Sequence, residues 1–142
     1  VVRFSVEQVE QLVTSKGLFL TLDLPEESPM ILVDKDRLAQ VFVNLIENAI
    51  KFTKEGGIRI KVEELPEEVE VSIIDTGIGV APNDLEKIFE KFYQAENAVA
   101  RTGSTGLGLS ICKGIIEAHN GRIWAESKQG SGCTFVFRLK RL

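Results

Sequence analysis

Two glycine-centred segments, DTGIGV at residues 75–80 and TGSTGLGLS at 102–110, carry the residue types that could grip a phosphate. Glycine lets the backbone turn at positive φ and brings N–H groups close to an anion with no Cβ in the way. The second segment also runs into a helical pattern, whose N-terminus favours negative charge. Either segment alone could be an ordinary turn. A third set strengthens the reading: Gln40, Asn44, Asn48 and Lys51 are spaced four, four and three apart and would stack along one line of a helix. Asparagine costs a helix about 0.5 kcal/mol relative to alanine, so two of them one turn apart are an odd choice for a plain surface. An amide oxygen is a hard, neutral ligand suited to Mg²⁺, and a lysine can meet phosphates as a point charge. Together the three sets point to a bound nucleotide.

The elements that must hold these residues follow from periodicity. Leu38, Val41, Leu45, Ala49 and Phe52 recur at helical spacing between Asp34 and Thr53, with Asp34 or Asp36 as the cap. Ser5 to Ser15 reads as an amphipathic helix, Leu18 to Leu24 and Met30 to Val33 as strands, and Ile58 to Glu64 with Val69 to Ile74 as a hairpin around Pro66. Thr105 to His119 reads as a helix with Leu107, Ile111, Ile115 and Ala118 on its buried side, stopped by Asn120-Gly121. A final hairpin spans Gly121 to Ser127 and Cys133 to Leu139, with Phe135, Phe137 and Leu139 facing inward. Strand pairs not regularly separated by helices argue for an α+β layout over a doubly wound sheet.

Other phosphate motifs fail on their letters. Gly103 and Gly108 have P-loop spacing, but Leu109 and Ser110 follow where Lys and Ser/Thr belong. Gly77 and Gly79 are followed by Pro82 where a dinucleotide fingerprint needs a third glycine.

The Asn44/Asn48/Lys51 helix, DTGIGV, IFEKFYQ at 88–94 and GSTGLGLSI at 103–111 resemble, in order and separation, the N, G1, F and G2 boxes of the ATP-binding catalytic domain of sensor histidine kinases. The resemblance covers nearly the whole chain. That fold group, the Bergerat ATP-binding fold, also includes the gyrase, Hsp90-type and MutL ATPases. The resemblance implies a two-layer α/β sandwich, a mixed β-sheet with helices on one face, forming one domain over residues 1–142 excised from a longer kinase. It implies ATP and Mg²⁺ as the bound groups.

Roles carry over residue by residue. Asp75 matches the aspartate that selects adenine, Gly77 and Gly79 the glycines that let the loop pass beneath base and ribose, and Ile78 a packing neighbour. Thr134 matches a threonine that supports the adenine site. Asn48 is the implied Mg²⁺ ligand, with Asn44 and Lys51 near the phosphates and Phe52 where many relatives have tyrosine. The loop of Gly103, Ser104, Thr105, Gly106, Leu107, Gly108 and Leu109 would meet the phosphates. Residues of about 94–105 would form a lid over ATP, with Phe89, Phe92 and Tyr93 at its base. Gln94 stands where many relatives carry arginine, so a charge on the γ-phosphate falls to Lys91 or Arg101.

Hydrolytic members of the fold group place a glutamate one turn before the metal-binding asparagine. Asn44 occupies that position here, a poor general base, which favours transfer to another acceptor over hydrolysis. Glu47 lies about 100° around the helix from Asn48 and could act as a local base or touch Mg²⁺ through water. The only histidine, His119, sits at a helix end and is read as structural. The acceptor is therefore expected on a dimerisation domain of the same parent kinase, with a response regulator downstream. Another enzyme of the group, a serine kinase or hydrolytic ATPase, and a degenerate nucleotide-sensing module are the competing readings.

Composition fits a domain of this kind. At 142 residues and 44% hydrophobic, the chain can bury a core without staples. Its 17 basic and 21 acidic residues speak against a nucleic-acid surface. No apolar run is long enough to span a membrane, so a cytoplasmic domain with no direct membrane insertion is expected, whether or not its parent is membrane-anchored. The isolated domain is expected to be monomeric. Cys112 and Cys133 lack a CxxC or CxxH companion and are read as packing residues.

Overall fold

The structure is a computed structural model that describes residues 2–27, 29–53, 55–77, 85, 87–89, 108–127 and 132–142. Its elements run α1 (Val2–Ser15), β1 (Phe19–Asp23), α2 (Lys35–Phe52), β2 (Gly57–Glu64), β3 (Glu68–Asp75), a 3₁₀ turn (Lys87–Phe89), α3 (Gly108–Ala118), β4 (Arg122–Ser127) and β5 (Cys133–Lys140).

Local chemistry sets the helix ends. Asp34 caps α2, its Oδ1 accepting from the N–H groups of Asp36 at 3.0 Å and Arg37 at 3.2 Å, which satisfies two donors that the helix itself cannot. Gly17, at φ 70°, closes α1. The N–H of Gly17 bonds to the Thr14 carbonyl and that of Leu18 to the Val13 carbonyl, a Schellman pattern. The same pattern closes α3, from Asn120 to Glu117 and from Gly121 to Ile116, both at 3.0 Å. The two residues of the Asn-Gly stop divide the task. Asn120 takes the left-handed conformation at φ 60°, while at Gly121 a Cβ would overlap the Arg138 carbonyl on β5.

His119 completes this end of the molecule. Its Nδ1 lies 2.8 Å from the Ile115 carbonyl and its Nε2 accepts from the Asp34 N–H at 3.1 Å, which fixes Nδ1 as the protonated nitrogen. The ring thus ties the last turn of α3 to the cap of α2. His119→Ala is expected to cost about 0.5–1.5 kcal/mol of stability in a denaturant titration, the net worth of such a bond.

One mixed sheet has the order β1-β2-β3-β5-β4. β1 and β2 pair in parallel because α2 crosses between them, and every other pair is antiparallel. Register puts Ile60 opposite Ile73, Ile73 opposite Phe135, and Val71 opposite Phe137, so one face is continuously apolar. α1, α2 and α3 bury that face. Phe42 of α2 meets Phe137 edge-on with centroids 5.6 Å apart, and Phe89 meets Phe135 likewise at 5.9 Å. Each such buried aromatic contributes about 1.5–3 kcal/mol through removal from water.

Three expectations from periodicity are corrected. Met30 to Val33 forms no strand. Ile31 and Val33 pack on the core while Met30 and Leu32 face solvent, so the alternation is real. Its backbone link among the described residues is one bond, from the Leu142 N–H to the Met30 carbonyl at 2.9 Å, not a ladder. The buried face of α3 is centred on Cys112 and Ile116, with Ile111 and Ala118 exposed. An 11-residue helix that is apolar over most of its surface leaves its inward side undetermined by spacing. The buried side of α2 is also wider than predicted, because Phe42, Ile46 and Ile50 are buried beside Leu38, Val41, Leu45 and Ala49. This helix is covered by the sheet and by α1 together, and Phe52 is only half-buried.

Candidate active site

The C-terminal end of α2, the end of β3 and the start of β5 converge. β3 delivers Asp75 to the edge of the apolar face, where its side chain is 5% exposed. The carboxylate Oδ1 accepts from the N–H of Gly77 at 2.9 Å and of Cys133 at 3.2 Å. Among the described residues no cationic side chain pairs with Asp75. Burial pushes its pKa upward, and the two backbone bonds pull it partly back. A carboxylate kept in such a place at a cost suits a neutral donor that arrives from outside, such as an exocyclic amine.

The glycines explain the convergence. At Gly77 a Cβ would overlap the Phe52 carbonyl at the end of α2, and lie 3.0 Å from Asp75 Oδ1. The first glycine of DTGIGV is thus required by close packing of the loop on the helix. At Gly132, with φ 97°, a Cβ would overlap the Asp75 carbonyl. Gly132 and the Cys133 N–H were not singled out by sequence reasoning. The available signal was the GSG run before a strand, which reads equally as a hairpin turn.

Along α2, Asn44, Glu47 and Asn48 are half-buried and Lys51 is exposed. Asn48 lies four residues before Phe52, so it stands one turn from the contact with Gly77. Gln40, the first residue of that line, is engaged elsewhere, accepting from the Arg37 guanidinium at 3.0 Å. α3 reaches the same helix through Cys112, fully buried, whose thiol lies 3.8 Å from the Val41 carbonyl. The Asn44 side chain lies against that thiol, whose pKa is pushed up to about 12 by burial, with Asn44 opposing the shift. Gly108 and Leu109 begin α3, which brings the start of this helix towards Asn44.

Thr134 does not join the group. It pairs with Ile74, and Cys133 pairs with Asp75. Since side chains alternate along a strand, Thr134 faces away from the helices and Cys133 faces the carboxylate. Burial and the neighbouring Asp75 charge raise the Cys133 thiol to about 12, so it stays protonated. Both cysteines are free and buried. Ile78, Gly79, Lys91, Phe92, Tyr93, Gln94, Arg101, Gly103, Ser104, Thr105, Gly106, Leu107 and the lid lie outside the described residues. Phe89, predicted for the lid's base, is buried against Phe135.

A two-layer sandwich with a buried strand-end aspartate, held beside a helix bearing two spaced asparagines, defines a nucleotide-handling ATPase-type domain. Residues 33–142 match the family of histidine kinase-, DNA gyrase B- and HSP90-like ATPases, and the chain belongs to this family. It is 42% identical over 136 residues to the adaptive-response sensory kinase SasA of Crocosphaera subtropica, covering 94% of this chain and 35% of that protein. The catalytic domain of histidine kinase ThkA superposes with a TM-score of 0.86 at 32% identity, covering 99% of this chain and 91% of that one. ThkA has also been solved in complex with the response regulator TrrA, with a TM-score of 0.80 at 31% identity over 99% of this chain and 39% of that one. Full-length ShkA in complex with AMPPNP gives 0.87 at 32% identity, over 99% of this chain and 29% of that one. The chain spans about a third of the SasA length and is a histidine kinase catalytic domain in fold and family.

No helix among the described residues is long and apolar enough to cross a membrane.

Proposed function

We propose that this domain binds ATP with Mg²⁺ and presents the γ-phosphoryl group to a histidine on a separate dimerisation domain of the parent kinase, from which it passes to a response regulator. The observation that carries the reading is the Asp75 carboxylate, buried without a cationic partner among the described residues and fixed through Oδ1 by two backbone donors. Oδ2 accepts no hydrogen bond from the described residues and is the atom offered to the adenine amine. Asn48 would hold the metal through its amide oxygen, with Asn44 and Lys51 towards the phosphates. Mg-ATP supplies the transferable phosphoryl group and the charge neutralisation of its oxygens.

The chain's own residues explain why the acceptor must come from elsewhere. His119 is the only histidine, and both of its ring nitrogens are engaged. Asn44 cannot take a proton from water as a carboxylate would, so hydrolysis is left without a base at that position. In the transfer, the incoming imidazole nitrogen forms the new bond to the γ-phosphorus, the bond to the bridging oxygen breaks, and ADP leaves. The domain contributes mainly position, so its isolated turnover is low. Association with a response regulator is supported by the solved ThkA–TrrA complex.

Calorimetric titration with ATP, ADP and GTP, each with and without Mg²⁺, followed by a phosphate-release assay, tests the reading. Adenine-selective binding with negligible release is expected, and rapid release would replace transfer by hydrolysis. Asn48→Ala is expected to remove the gain in ATP affinity that Mg²⁺ gives, about tenfold or 1.4 kcal/mol. A retained Mg²⁺ dependence would assign the metal to another residue.

A further inference from the structure

Thr76 sits between the two halves of the site. Its hydroxyl donates to the Glu55 carbonyl at 3.1 Å and accepts from the Gly57 N–H at 3.2 Å. Glu55 lies in the turn that joins the end of α2 to β2, and Gly57 is the first residue of β2. Between them Gly56, at φ 101°, lies so close to this hydroxyl that an added Cβ would overlap Thr76 Oγ1. One residue before Thr76 is the buried carboxylate of Asp75, and one residue after is Gly77, packed on the Phe52 carbonyl. The hydroxyl therefore fastens the strand end that carries Asp75 to the turn that leaves the helix carrying Asn48.

We propose that Thr76 is a positioning residue that sets the spacing between the base-binding and phosphate-binding ends of the site, an inference that rests on the nucleotide reading above. Two contacts made by one ligand reinforce each other most when the separation of the two ends suits the ligand's span, so loosening the clip lowers affinity for a ligand that reaches both ends. It leaves a ligand that needs one end alone unaffected. Glycine at 56 and threonine at 76 form a matched pair in this reading, because the bare backbone of one makes room for the hydroxyl of the other.

The test compares ATP, with Mg²⁺, and adenosine on the same chain, by calorimetry and ligand-observed NMR, in the wild type and in three variants. Thr76→Val keeps the branched shape but loses both hydrogen bonds, and Thr76→Ala loses them with no branched group to accommodate. Thr76→Ser keeps the hydroxyl. Both Thr76→Val and Thr76→Ala are expected to weaken ATP about tenfold while changing adenosine less than about twofold, and Thr76→Ser to restore wild-type ATP affinity. Thermal melting is recorded on every sample to establish that it is folded. Equal weakening of both ligands would mean a merely structural role and overturn the proposal, as would unchanged ATP affinity in a folded Thr76→Val or Thr76→Ala. A wild-type chain that binds neither ligand would overturn the nucleotide reading itself, and this inference with it.

Discussion

Asp75→Asn is expected to weaken adenine-nucleotide binding by about 1–3 kcal/mol, the scale for losing a hydrogen bond to a charged group. The geometry gives the reason. The N–H groups of Gly77 and Cys133 both point at Oδ1, so in the variant they hold the amide oxygen. The amide NH₂ then occupies the place of the second carboxylate oxygen and turns a donor towards the donor of the base. GTP, which lacks that amine, should be affected far less, and the ratio of the two affinities in a titration measures the effect. Unchanged ATP affinity would remove Asp75 from the base site.

The same substitution is expected to raise the melting temperature at neutral pH. The folded pKa of Asp75 is raised, mainly by burial. A raised folded pKa means that the protonated form is favoured in the fold. The associated stability is complete below the unfolded value, near 3.8, and is lost as pH rises through the folded value. Asparagine removes that loss, so the gain should appear above this window and vanish below it. Loss of affinity with gain of stability is the signature of a group kept for function.

Gly132→Ala should be the more disruptive change. Its φ of 97° lies where an L side chain is strained, at about 1–3 kcal/mol, and the new Cβ would overlap the Asp75 carbonyl besides. Relief requires the start of β5 to move away from the end of β3, which breaks the Cys133 bond to the carboxylate. Denaturant unfolding should report a loss of at least 1–3 kcal/mol, and ATP binding should fall with it. A variant of wild-type stability would show that β5 can shift freely, and would separate Gly132 from the site.

How much was legible beforehand differs between helix, strand and loop. A cap of α2 at Asp34 or Asp36, the two hairpins and the inward Phe135, Phe137 and Leu139 were all readable, since caps and periods are local properties of the chain, and the hydrogen bonds to Asp34 Oδ1 made the choice between the two aspartates. Met30 to Val33 was misread because alternation reports which side is buried, and says nothing about whether a partner strand is present. The inward side of α3 was misread because Ile111, Ile115 and Ile116 offer spacing alone no way to choose among them.

The family, the two-layer architecture and the candidacy of Asp75, Asn44 and Asn48 could all be read from residue order, because they depend on residue types in a fixed succession. What surrounds them came from the packing of distant segments. That packing set the register that puts Cys133, and not Thr134, beside Asp75, the approach that reserves position 132 for glycine, and the hydroxyl of Thr76 that joins the turn after α2 to the end of β3. Each is a distance between segments far apart in the chain. One residue of slip in a strand reverses every side chain in it, and only the packed core fixes that choice.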